Sequence, residues 1–160
     1  MTVTWTCKPF AALSARGIYD ILHARNAVFV YEQRCVWLEV DNLDKAPSCL
    51  HLVGTASDGE SIAGYARLLG PGTKGEAQTY PVISRVLTTA SHRGTGLGRQ
   101  VMLEAIAECG RQWPGQNILI NAQAYLEPFY KSLGFVQISD LYDEDGIMHM
   151  DMLRAPTKTQ

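Results

Sequence analysis

Thr88-Thr89-Ala90-Ser91-His92-Arg93-Gly94-Thr95-Gly96-Leu97-Gly98-Arg99-Gln100 joins a strand-like run to a helix-like run, with three glycines at alternate positions. Glycine at 94, 96 and 98 lets the backbone turn sharply and present its N–H groups with no Cβ in the way. Those donors and the positive end of the helix that follows make an anion site suited to phosphate oxygens. Arg93 and Arg99 add side-chain charge at its rim. A P-loop is excluded, because Arg99-Gln100 stands where Lys-Ser/Thr is required. The G-x-G-x-G spacing also departs from the G-x-G-x-x-G of dinucleotide sites. A glycine-rich turn without a ligand is the bland alternative, and the loop taken alone leaves it open.

Upstream, Val82-Ile83-Ser84-Arg85-Val86-Leu87-Thr88 is rich in β-branched residues and predicts a strand. His51 to Gly54 and Ser61 to Leu69 read as two more, joined at the turn Ser57-Asp58-Gly59-Glu60. Ser14 is placed to cap a helix whose apolar positions Ile18, Ile21, Leu22 and Val28 follow helical spacing. Downstream, Val101, Met102, Ala105, Ile106 and Cys109 mark one helix face, which Trp113-Pro114-Gly115 should end. A buried-type strand at Asn117–Ala122, a helix from Tyr125 to Leu133 stopped by Gly134, and two strands around Asp143-Glu144-Asp145-Gly146 complete the chain. Gly70 to Gly75 reads as a loop. The order predicts a single mixed α/β (α+β) domain over residues 1–160, with 155–160 a frayed tail.

The composition supports one core and excludes several classes of partner. Of 160 residues 46% are hydrophobic, and the formal net charge is -2 with a pI near 6.1. That balance predicts neither nucleic-acid nor anionic-membrane binding. Cys7, Cys35, Cys49 and Cys109 are scattered, without metal-ligand spacing to a histidine, so no metal is expected. No signal-peptide pattern is present, and apolar runs fall far short of the roughly 20 residues a spanning helix needs. A cytoplasmic location is the expectation.

Arg93, Gly96 and Gly98 after a Val-Leu-Thr strand form an Arg-x-x-Gly-x-Gly pattern that resembles motif A of the GNAT superfamily of N-acetyltransferases. Phe129-Tyr130-Lys131-Ser132-Leu133-Gly134-Phe135 is similar to that family's tyrosine-bearing helix and its exit. Three further stretches resemble the ElaA-like branch: Arg25 to Gln33, Asn121 to Leu126, and Tyr142 to His149. The resemblance implies a central sheet of about six to seven strands with about four helices, splayed between its fourth and fifth strands. It implies acetyl-CoA in the gap as co-substrate. Pantetheine would pair with Val86, Leu87 and Thr88, and the pyrophosphate would rest on Arg93, Gly94, Thr95, Gly96, Leu97, Gly98 and Arg99.

The activity implied is direct transfer of an acetyl group to a primary amine of a small molecule or peptide. Such chemistry asks for a base for the ammonium, a donor for the oxyanion and an acid for the departing thiolate. Tyr130 matches the family's acid, with Tyr125 as a rival on the same helix. Glu32, His51, the Glu144–Asp145–His149 group or water are the candidate bases. Arg25, Gln123, Glu144 and His149 are the expected acceptor-side contacts. Glu39, Asp41 and Asp44 read either as a lure for a cationic amine or as a solvated loop. No glutamate stands on the Val82–Thr88 strand. Arg85 there suggests an ion pair or recognition of an anionic acceptor. Two other readings stay open. Arg25 to Gln33 also resembles acyl-homoserine-lactone synthases, which draw acyl chains from acyl carrier protein. The chain also fits a non-catalytic CoA-binding module. A homodimer through an exposed final strand is a further expectation.

Overall fold

In a computed structural model describing residues 2–158, these patterns become eight strands. They are β1 (Thr4–Pro9), β2 (Cys49–Thr55), β3 (Ile62–Leu69), β4 (Val82–Thr88), β5 (Ile118–Gln123), β6 (Phe135–Gln137), β7 (Tyr142–Glu144) and β8 (Ile147–Arg154). They form one sheet in the order β1-β2-β3-β4-β5-β8-β6, with β7 paired to the other half of β8. Every pairing is antiparallel except β4 with β5, and there Val82 opposite Leu119 is the single register pair. Beyond it the two strands part. The splay lies between the fourth and fifth strands, as the family resemblance implied.

Helix α1 (Ala15–Arg25) begins at Ser14, whose hydroxyl accepts from the Gly17 amide at 3.0 Å. It runs on as a π-helix over Asn26–Glu32, a geometry with an extra residue per turn. Ile21, Ala24, Val28 and Phe29 pack with Tyr65 and Leu87 on one face of the sheet. Helix α2 (Leu97–Gln112) covers the other face with Leu97, Val101, Met102, Ala105, Ile106 and Cys109. Burying each such aliphatic side chain contributes roughly 1.5–3 kcal/mol. The approach is close: a Cβ on Gly64 of β3 would lie 2.6 Å from Val101 Cγ2. Glycine there sets the height of α2 above β3, beside the Thr88 end of the strand that leads into the 94–98 turn.

The expected elements differ from those observed in four places. The segment 125–133 is a 3-10 turn (Ala124–Leu126) followed by a short helix α3 (Glu127–Lys131), because Pro128 lets a helix begin but supplies no N–H to an earlier turn. Among the described residues three α-helices are therefore present, with Asn26–Glu32 and several 3-10 turns beside them, and Gly134 ends α3 at φ +89°. β1 was not expected; only Trp5 and Cys7 of it turn inward, too few for a period-2 signal. Three strands, not two, follow Gly134, and β8 is flanked by β5 on one side and by β6 and β7 on the other. The final strand is thus not an exposed edge, and a partner strand would have to add at β1 or along β6 and β7. Residues 155–158 have no regular structure; the rest of the expected tail, 159–160, lies outside the described residues.

Candidate active site

The parting of β4 and β5 opens a cavity of about 310 Å³. One wall is Ile83 to Val86, the other Ile120, Asn121 and Gln123, with Tyr125 and Tyr130 at one end and Glu144 and His149 beside them. β4 carries a bulge here: Tyr65 faces Leu87 while Arg67 faces Ser84, so β4 spends one residue more than β3, and Arg85 takes up the difference at φ +54°. The β5-facing edge of β4 after Val82 has no strand partner. Its backbone is free to pair with an extended ligand containing amides.

At its far end β4 runs into the glycine turn. Gly94 and Gly96 sit at φ +75° and +81°, the left-handed region, and a Cβ on either would meet nothing within 4 Å. The glycines are therefore demanded by backbone conformation and not by crowding from the protein. Gly96 caps α2 without a side-chain bond. Among the described residues no carbonyl or side chain accepts from the amides of Gly94, Thr95, Gly96, Leu97, Gly98 or Arg99; the first amide to bond is that of Gln100, to Gly96 O at 3.3 Å. Six donors at the positive end of a sixteen-residue helix are left for an anion. Arg93 leans on Thr88 O at 3.1 Å and pairs with Glu32 at 2.7 Å, and Arg99 bonds Ser132 Oγ at 2.8 Å.

Tyr130 reaches the cavity from α3, its ring edge-on to Phe129 and Phe135 at centroid distances of 5.1 and 6.1 Å. Burial, and then the neighbouring Tyr125, push its hydroxyl up to about 12. It therefore stays protonated at neutral pH, a standing donor. Tyr125 is 72% exposed and lacks that packing.

A family model for the acetyltransferase (GNAT) domain matches residues 47–155. The chain belongs to the GNAT acetyltransferase family. A UPF0039 protein of Synechocystis is 38% identical, with 98% of both chains covered. Escherichia coli ElaA is 35% identical over 95% of this chain and 96% of its own, and its crystal structure superposes with a TM-score of 0.86. The structure of an acyl-CoA N-acyltransferase from Pseudomonas aeruginosa superposes with a TM-score of 0.88 at 37% identity, covering 96% of this chain and all of that one.

Within this GNAT domain, four of the residues expected at the site gather in one cavity: Tyr130, Gln123, Glu144 and His149. Three others lie elsewhere. Glu32 does not line the cavity; the π-helix carries it to the glycine turn, where it is spent on Arg93. His51 is 2% exposed, and both ring nitrogens are engaged. Its Nε2 donates to Asp44 O at 2.9 Å, which leaves Nδ1 to accept from Tyr65 Oη at 2.8 Å. Burial lowers its pKa, and no lone pair remains to take a proton from an amine.

Arg25 is fully buried and belongs to an ion-pair lattice. Its Nε donates to Glu39 at 2.7 Å and its Nη1 to Asp44 at 2.5 Å. Arg67 reaches Asp41 at 2.8 Å and Asp44 at 3.1 Å, while Arg85 pairs with Glu39 at 2.8 Å and Asp41 at 3.5 Å. Three guanidinium groups thus face three carboxylates. The acidic stretch is neither a solvated loop nor a free lure for an amine. Burial alone would raise the pKa of Asp44, but the hydrogen bond and charge of Arg25, with Arg67 behind them, hold it below the usual carboxylate range. The lattice pins the 39–44 loop to α1, β3 and the β4 bulge, so it positions the cavity wall. Arg85 serves it as an ion pair while lining the cavity, with its guanidinium 5.8 Å from the Trp37 ring centroid. The fold also brings Asp44, Cys49 and His51 within 4.8 Å of one another, a grouping their spacing does not announce. The His51 nitrogens and Asp44 Oδ1 in it are already bonded to protein. All four cysteines are free thiols, and burial pushes those of Cys7, Cys49 and Cys109 up to about 12. Among the described residues no helix is long and apolar enough to cross a membrane.

Proposed function

We propose that this GNAT domain moves an acetyl group from acetyl-CoA to a primary amine of a small molecule or peptide, directly and in a ternary complex. One observation carries the reading: an unpaired strand edge at a splay runs straight into a turn with six free amides. The two features match the two polar parts of a CoA tail. The edge at Val86, Leu87 and Thr88 would pair with pantetheine amides, and the amides of residues 94–99 would take the pyrophosphate, with Arg93 and Arg99 at its rim. The thioester would then lie against the bulge at Arg85–Val86, where a backbone N–H outside the β-ladder is suited to the oxyanion. Tyr130 would donate to the departing sulfur. Its phenol, at about 12, is a weaker acid than a thiol near 8.5, so it steadies the sulfur's charge and passes on a proton only as another replaces it. Four unpaired thiols fit the reducing cytoplasm.

Acetyl-CoA consumption with release of free thiol, followed over a panel of amines, tests the reading. Calorimetry should show CoA and acetyl-CoA binding; failure of both to bind overturns it. Transfer from acyl carrier protein thioesters alone would replace it with a lactone-synthase-like activity. Binding without transfer would leave a CoA-binding module.

A further inference from the structure

The acceptor side of the cavity has a polar row that the CoA assignment leaves unused. His149 on β8 pairs directly with Gln123 on β5 and with Tyr142 on β7, so the three side chains project from one face of the sheet. His149 is 4% exposed, yet it lines the cavity. Its Nδ1 lies 2.8 Å from the Ile147 carbonyl. A carbonyl only accepts, so in the neutral ring the hydrogen sits on Nδ1 and the lone pair on Nε2. Among the described residues Nε2 makes no hydrogen bond, and the nearest charge is Glu144 Oε2 at 3.5 Å. The Tyr142 ring stacks on the imidazole at 6.0 Å and 21°, and its own hydroxyl is held by Asp151 at 2.7 Å. The ring is thus fixed in tautomer and in plane, with a lone pair and a carboxylate side by side and no cation of the protein paired to either.

Resting on the acyl-transfer reading above, we infer that Nε2 of His149 and the Glu144 carboxylate together seat the acceptor's ammonium, and that His149 is the base that deprotonates it. The ammonium gives one proton to Nε2, and the freed nitrogen lone pair forms a bond to the thioester carbonyl carbon. As the C–S bond breaks, the second nitrogen proton passes to the sulfur through Tyr130, yielding amide and CoA thiol. His149 then returns its proton to solvent. The other titratable groups bordering this space are Tyr142 beside the ring with Asp151 behind its hydroxyl, Tyr125 and Tyr130 beyond β5, and Asp41, Arg67, Arg85 and Lys74 elsewhere on the cavity lining, where Asp41 pairs with both arginines.

The test compares n-propylamine, a cation at neutral pH, with 2,2,2-trifluoroethylamine, which is neutral there and needs neither base nor seat. His149→Asn keeps a donor for the Ile147 carbonyl but loses the Nε2 lone pair. Its kcat/KM should fall about 10²- to 10⁴-fold with n-propylamine, less than about 3-fold with the fluorinated amine, and the acidic limb of the pH profile should vanish. Calorimetric affinity for CoA should stay at the wild-type value. Equal losses with both amines, or an unchanged acidic limb, overturn the inference while leaving acyl transfer standing. Wild-type protein that acylates neither amine, nor any amine of the panel, overturns both. Glu144→Gln, on an exposed hairpin, decides the matter should the histidine variant not fold. The KM for n-propylamine should rise about tenfold with kcat unchanged, and an unaltered KM counts against the seat.

Discussion

The glycine turn and the ion-pair lattice border the same gap and are built in opposite ways. The turn is seven consecutive residues, Arg93 to Arg99, largely exposed, with its backbone donors from Gly94 onward unspent. The lattice gathers residues from position 25 to position 85, and each of its six side chains is paired with another member. Potential for binding in one place thus depends on backbone groups kept unsatisfied, and rigidity in the other depends on buried charges paired with one another. If that contrast is right, damage to the lattice should appear as lost stability, and damage to the turn and cavity as lost binding or rate.

The largest effect is expected from Arg25→Ala. It removes one of the two guanidinium partners of both Glu39 and Asp44, together with a fully buried side chain, a defect costing about 3–5 kcal/mol, read from the denaturant midpoint. CoA affinity per folded molecule should not change. A cost below about 1 kcal/mol would show that the lattice does not hold the wall. Next comes Tyr130→Phe. Its ring packing survives, so CoA affinity and melting temperature should hold while kcat drops about 100-fold, or about 2.7 kcal/mol of barrier. An unaffected kcat would remove Tyr130 from the chemistry.

Acid should discriminate too. Burial lowers the His51 pKa in the fold, so as pH falls below the unfolded value near 6.5 the unfolded chain takes up the proton first and stability declines. The slope is at most about 1.4 kcal/mol per pH unit for one proton, and His51→Gln should flatten it. Asp41 and Asp44, whose pKa values are depressed, stabilise the fold above about pH 3.9, and that contribution is lost as pH falls through their folded values. A modest change in stability, about 1 kcal/mol, belongs to Gly96→Ala, from the left-handed backbone alone. Calorimetry should nonetheless find CoA binding at least tenfold weaker. A stability loss with no change in affinity would place the phosphates elsewhere.

The same contrast governs what could be read from the chain. The turn, β4 before it and α2 after it rest on contacts within a few residues, so glycine spacing and apolar periodicity were enough. Tyr130 entered through the resemblance, which its helix and the Gly134 exit carry. Arg25, His51 and Glu32 were read as site residues since a lone polar side chain announces chemistry without saying which way it faces. Each is engaged by a group distant in sequence: Glu39 and Asp44 for Arg25, Tyr65 for His51, Arg93 for Glu32. Arg85 reads from the sequence either as an ion pair or as a contact for an anionic acceptor, and its ion-pair partners lie on the 39–44 loop.

By itself the sequence determined the mixed α/β class and a glycine turn between a strand and a helix, because periodicity, capping and glycine conformation are short-range properties; the family followed from the resemblance its motifs carry. Only the tertiary structure decided which charges are buried against one another and which face the gap. It also decided that His149, beside Tyr142 and Gln123, has a lone pair to offer. Those outcomes depend on strand register and on partners tens of residues away, and local spacing has no means of encoding them.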